Sequence, residues 1–127
     1  MDASQTSASR ATVGLFDSDS AGLEAARSAL EQRAPSVSVV IAASSWGELL
    51  TDAAFPPDIV VLRPRPDDRV SLPYEARVCR IVDASVLAIV DADGEDAESA
   101  RDVTSIVIAH SLDEAADLLE SWDAAVH

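Results

Sequence analysis

Residues Pro57-Asp58-Ile59-Val60-Val61-Leu62-Arg63-Pro64 decide the fold. Four consecutive apolar residues, three of them β-branched, follow Pro-Pro-Asp. An unbroken apolar run of that length marks a strand covered on both faces, which places it inside a parallel sheet. The residue after it, Arg63, then emerges at the carboxyl edge of the sheet, where open α/β sheets hold their ligands. Beyond it, Arg63-Pro64-Arg65-Pro66-Asp67-Asp68 contains two prolines. They deny the segment both helix and ladder hydrogen bonds, so a loop is expected there.

Working back from this strand, residues 11–16 form a compact apolar run that stops at Asp17-Ser18-Asp19-Ser20. A strand ending in a polar turn is the reading, with Ser20 as the expected N-cap of a helix. Leu23, Ala26 and Leu30 recur at helical spacing as far as Arg33, and Pro35 forbids continuation. Residues 37–43 give the next strand. Ser45-Trp46-Gly47-Glu48 has the Ser-x-x-Glu spacing of a capping box, opening a helix through Leu49, Leu50 and Ala53 that Pro56 and Pro57 close.

Working forward, residues 74–82 are expected as a helix, with Pro73 in its first turn and Ala76, Val78, Cys79 and Val82 on its apolar side. Residues 85–90 form a fourth strand, and residues 91–103 leave room for only two or three turns of helix before a fifth strand at 105–109. Ser111-Leu112-Asp113-Glu114 repeats the capping-box spacing, and the helix it opens carries Leu112, Ala115, Leu119 and Trp122 on one stripe. Strands alternating with helices require crossovers, and right-handed crossovers put helices on both faces of a parallel sheet. The expected fold is one α/β domain over residues 11–127, with residues 1–10 as a small, polar, disordered tail.

Composition sets the functional limits. The chain has 127 residues and is 48% apolar, enough for one core. Neither a membrane-spanning run nor a signal-peptide core is expected in it. With the unpaired Cys79, this reads as a cytoplasmic protein. There are 23 acidic residues against nine arginines and no lysine, a net charge of −14, so direct binding of nucleic acid is not expected. The lysine-free, alanine- and aspartate-rich composition resembles proteins of salt-loving archaea or GC-rich bacteria.

The order of elements, with Thr12-Val13-Gly14-Leu15-Phe16-Asp17-Ser18-Asp19-Ser20, the third strand and the Ser111-Leu112-Asp113-Glu114-Ala115-Ala116 opening of the last helix, resembles the flavodoxin-like receiver domains of bacterial response regulators. That resemblance implies a five-stranded parallel sheet with helices on both faces, here with the fourth helix short or missing. It also implies a magnesium-assisted phosphoryl transfer to an aspartate after the third strand. This sequence departs from the pattern: Arg63 stands at the acceptor position, Ser18 replaces the second acid beside Asp17, Val90-Asp91 replaces the hydroxyl switch residue, and Ala109-His110 stands where a lysine is needed. The expectation is a degenerate receiver-like module in signalling or transcription control, with no cofactor and no bound metal. It would act by binding a protein partner, a fused output domain or a ligand, or as a weak homodimer through Leu112, Leu119 and Trp122.

Asp17, Ser18, Asp19, Arg63, Asp91 and Asp93 are expected to gather at the carboxyl edge. There Arg63 either binds an anionic group or, more simply, bridges Asp17 and Asp91 in place of a metal. The acidic loops lack the ligand spacing of a calcium site. The alternative of another class is a phosphatase similar to the haloacid dehalogenases, with Asp17 as nucleophile and Asp19 as acid and base. Cys79 is expected to be an inert buried thiol, His110 a loop or cap residue, and Trp46 a core residue.

Overall fold

Five parallel strands form one sheet: β1 (Ala11–Phe16), β2 (Val37–Ala43), β3 (Ile59–Leu62), β4 (Ser85–Ile89) and β5 (Ile106–Ala109), in the order β2-β1-β3-β4-β5. This is the flavodoxin-like arrangement. It is seen in a computed structural model that describes residues 11–65, 70–90 and 106–122. The expected tail at 1–10 and the expected short fourth helix at 91–103 lie outside the described residues.

The helices are α1 (Ser20–Arg33), α2 (Trp46–Thr51), α3 (Leu72–Ile81) and α4 (Leu112–Glu120). Leu23, Ala26 and Leu30 of α1 and Ala115, Ala116 and Leu119 of α4 pack on one face of the sheet, against Val13, Leu15, Ile59, Val61 and Leu87. Trp46 and Leu49 of α2 and Leu72, Ala76 and Cys79 of α3 pack on the other, against Phe16, Val60, Leu62, Val86 and Ala88. All four residues of β3 are buried because both faces are covered, as their unbroken apolar character requires.

Both capping boxes form. Ser45 Oγ accepts from the Glu48 N–H at 3.1 Å and Ser111 Oγ from the Glu114 N–H at 3.0 Å. The glutamates reach back to the N–H groups of Ser44 and His110, one residue ahead of the caps. Ser20 is not a cap. α1 begins on it, and Asp19 holds the N-cap position without a side-chain capping bond. α2 stops at Thr51, short of the expected Ala53, and α3 starts at Leu72, ahead of the expected Tyr74, because Ser71 Oγ accepts from the Tyr74 N–H. α3 ends in a Schellman turn: Ala84 N–H donates to Cys79 O, Asp83 N–H donates to Arg80 O, and Asp83 takes φ 62°.

β2 carries a bulge that alternation alone does not reveal. Val13 pairs with Val39 and Gly14 with Ile41, so Val40 has no partner on β1 and is left exposed. The extra residue changes which face the strand serves. Val37 and Val39 pack toward α1 and α4, whereas Ile41 and Ala43 pack toward α2 and α3.

The α1–α4 layer is tied at its edge. Arg33 lies 3.5 Å from Asp113 and 4.0 Å from Asp117, and Glu120 accepts from both the N–H and the Oγ of Ser36. Those bonds from Ser36 hold the Glu120 carboxyl below its ordinary range. The tie is therefore present above the ordinary carboxylate pKa and is lost as pH falls through the depressed one.

Cys79 is fully buried, and burial, with the Glu75 carboxylate beside it, pushes its thiol up to about 12. The folded chain keeps that proton above pH 9.0, where the unfolded chain loses it. Stability is thus fully present below pH 9.0 and falls as pH rises from there toward 12, by at most about 1.4 kcal/mol per pH unit. Aromatic disulfide reagents at about pH 8 are expected to leave the native protein unlabelled and to label one thiol in denaturant. Rapid labelling of the native state would place the thiol at the surface.

Candidate functional site

β1 lies in the sheet between β2 and β3, so the chain leaves it to one side and returns on the other, and the crevice at such a switch point is where these sheets carry their sites. The ladder runs on past the strand ends. Asp17 N–H donates to Ala43 O and Arg63 N–H to Phe16 O, both at 3.1 Å. Asp17 and Arg63 are thereby fixed side by side at the carboxyl edge, as the sequence predicts.

The cation that meets Asp17 is not the expected one. Arg65 donates from Nε to Asp17 Oδ1 at 2.9 Å and from Nη2 to Oδ2 at 2.7 Å, a two-pronged pairing that matches the planar guanidinium to the carboxylate. Arg63 reaches only 4.0 Å from Oδ2. The expectation that Arg63 serves as the principal counter-ion is therefore corrected to Arg65. The two residues are separated by Pro64, which restricts Arg63 to extended backbone. Arg63 stays in register with the ladder while the chain travels on, and Arg65 is the residue that comes back onto Asp17.

Asp17 is fully buried, and its Oδ1 also accepts the Asp19 N–H at 2.9 Å. Asp19 lies 3.8 Å from Arg65 Nη2 with its side chain half exposed. Among the described residues, two carboxylates and two guanidiniums thus share the crevice, and their charges balance. Ser18 is exposed. Asp91 and Asp93 lie outside the described residues, so the expected Arg63–Asp91 contact does too.

Gly22 is a site residue that sequence reasoning missed. A Cβ there would lie 2.7 Å from Arg65 Nη2 and 2.8 Å from Asp17 Oδ2, so the first turn of α1 passes over the ion pair only because this position has no side chain. Its spacing from Asp17 carries no signal of this, since half of the crowding comes from Arg65, more than forty positions away.

The magnesium site that the receiver resemblance implies does not fit these residues. Both oxygens of Asp17 are engaged by protein donors, Ser18 brings no second carboxylate, and the Arg65 guanidinium lies 2.7 Å from Oδ2. Among the described residues no group of three or more His, Cys, Asp or Glu is placed to hold a metal ion. His110 sits between β5 and α4 with Nδ1 3.1 Å from Val90 O, just past the end of the neighbouring strand β4.

The three residues expected at an interface are placed differently from one another. Leu119 is only 1% exposed and belongs to the core, while Leu112 and Trp122 are half-buried at its margin. Leu119 has no surface to offer a partner, because the stripe that gives α4 its amphipathic character is spent on the sheet.

No protein-family model, curated protein or solved structure matches this chain. Among the described residues no helix is long and apolar enough to cross a membrane.

Proposed function

We propose that this chain is a degenerate receiver-like regulatory module that acts in the cytoplasm, in signalling or transcription control, by binding a protein rather than by accepting a phosphoryl group. The observation that carries this reading is the grip of Arg65 on the buried Asp17. While the Arg65 guanidinium spans both oxygens of Asp17 it holds a positive charge against them that opposes a metal ion and covers the approach to a phosphoryl donor, and Arg63 at the acceptor position cannot form an acyl phosphate. The same grip speaks against the phosphatase alternative, which needs Asp17 open to substrate.

With the chemistry removed, a surface is left as the means of action, and α4 is the candidate for it. Leu112, Leu118 and Trp122 stand half-buried beside the exposed Asp113, Glu114 and Asp117. Incubation with acetyl phosphate or phosphoramidate and magnesium is expected to leave the intact mass unchanged. A phosphoryl adduct mapped to Asp17 or Asp19 would overturn the reading. A weak homodimer is expected through α4, with the dissociation constant rising at least about tenfold, about 1.4 kcal/mol, on Trp122→Ala. Sedimentation equilibrium of the two proteins measures it.

A further inference from the structure

α3 turns an apolar stripe to solvent. Tyr74, Val78 and Ile81 follow at i, i+4 and i+7 on one side of the helix, Tyr74 50% and Ile81 76% exposed, with Val78 half-buried between them. The opposite side of α3 is already spent on the core through Ala76 and Cys79, and Val78 packs against the margin of that core, so nothing in the sheet accounts for Tyr74 and Ile81. The charges that accompany it are Arg77 and Arg80, both exposed, and among the described residues neither has an acidic partner. Two cations beside exposed apolar groups, with no acidic partner among the described residues, stand out in a chain of net charge −14.

α4 is the complement of this surface. Its own exposed charges are Asp113, Glu114, Asp117 and Glu120, all negative, with Arg33 of α1 3.5 Å from Asp113 and 4.0 Å from Asp117, and Leu118 and Trp122 lie i, i+4 beside them. Two α3 helices meeting each other would set Arg77 and Arg80 against their own kind, and two α4 helices would do the same with their acids. Unlike faces avoid both costs.

We propose that α3 of one copy docks on α4 of a second copy, head to tail, an inference that rests on α4 being the partner surface proposed above. Ile81 and Tyr74 supply the apolar anchors against Leu118 and Trp122, and Arg77 and Arg80 meet the α4 carboxylates. The two helices lie on opposite faces of the sheet, so the contact is heterologous. The dimer keeps one free α3, on one copy, and one free α4, on the other, and assembly continues beyond the dimer as concentration rises.

The heterologous geometry gives a test by complementation. Sedimentation equilibrium is run in about 1 M salt, where the screening length of about 3 Å suppresses repulsion between two acidic copies. Ile81→Glu and Trp122→Ala are each expected to raise the dissociation constant at least tenfold. Mixed in equal amounts, they are expected to form a one-to-one dimer of near-parental affinity, because one variant still offers α4 and the other α3. Ile81 is exposed, so its variant keeps the fold. Asp117→Arg, also at an exposed position, replaces Trp122→Ala should that variant unfold.

If Ile81→Glu self-associates like the parent while Trp122→Ala does not, α4 remains the partner surface and the α3 assignment is wrong. Two monomeric variants that stay monomeric when mixed also overturn the head-to-tail arrangement. A parent that is monomeric at every concentration removes both proposals.

Discussion

Arg65→Ala is expected to destabilise the fold by about 3 kcal/mol, and Arg63→Ala by less than about 1 kcal/mol. The two arginines are two positions apart and similarly exposed, so side-chain burial does not separate them. Geometry does. Arg65 makes two hydrogen bonds to Asp17 at 2.9 and 2.7 Å, whereas Arg63 stands 4.0 Å from one oxygen. Removing Arg65 leaves a fully buried carboxylate with one backbone N–H and a distant guanidinium, and orphaning a buried charge typically costs about 3–5 kcal/mol. The lower end applies because Arg65 is 29% exposed and water can reach the gap.

A double-mutant cycle separates loss of the pair from damage to the loop. Asp17→Asn keeps an acceptor for the Asp19 N–H and removes the charge. The Asp17→Asn/Arg65→Ala protein is therefore expected to be more stable than the sum of the single losses by about 0.5–3 kcal/mol. Urea unfolding of the four proteins gives the coupling. Equal losses at Arg63 and Arg65, or no coupling between Arg65 and Asp17, would dissolve the clasp on which the proposed loss of phosphotransfer rests.

The contrast between these arginines shows where reading a sequence stops. β3 was legible because burial on both faces writes itself into four neighbouring residues, and the helix starts at Ser45 and Ser111 were legible because a capping box closes within four. Such signals are local. Asp17 was also legible, as the first polar residue after an apolar strand. Its partner was not, because the choice between Arg63 and Arg65 depends on how the chain turns after Pro64. The demand for glycine at position 22 depends in turn on that choice. The bulge at Val40 is of the same kind. Residues 37–43 read as a plain apolar strand, and only the register against Gly14 shows that Ile41 and Val39 serve opposite faces. Ser20 is a good cap by residue type, but Asp19 takes the position and turns its carboxylate toward Arg65.

The same distinction between local pattern and tertiary use decides what α4 can do, and Leu119→Ala tests it. From the helical stripe alone Leu112, Leu119 and Trp122 are equivalent, and an interface could use all three. In the fold Leu119 is 1% exposed among Leu30, Leu87, Ala115 and Ala116, whereas Trp122 is half-buried. Truncating a leucine in such a place removes its transfer energy and leaves a cavity, together worth about 2–5 kcal/mol. The neighbours are themselves packed and contribute to both α1 and β4, so little collapse into the space is available and the loss should fall in the upper half of that range. Trp122→Ala vacates a site already open to water and should cost the monomer less, while weakening association more. Denaturant midpoints and sedimentation on the two variants therefore move in opposite order. A Leu119→Ala protein that keeps parental stability but loses self-association would mean that α4 sits differently on the sheet, with Leu119 at the surface after all.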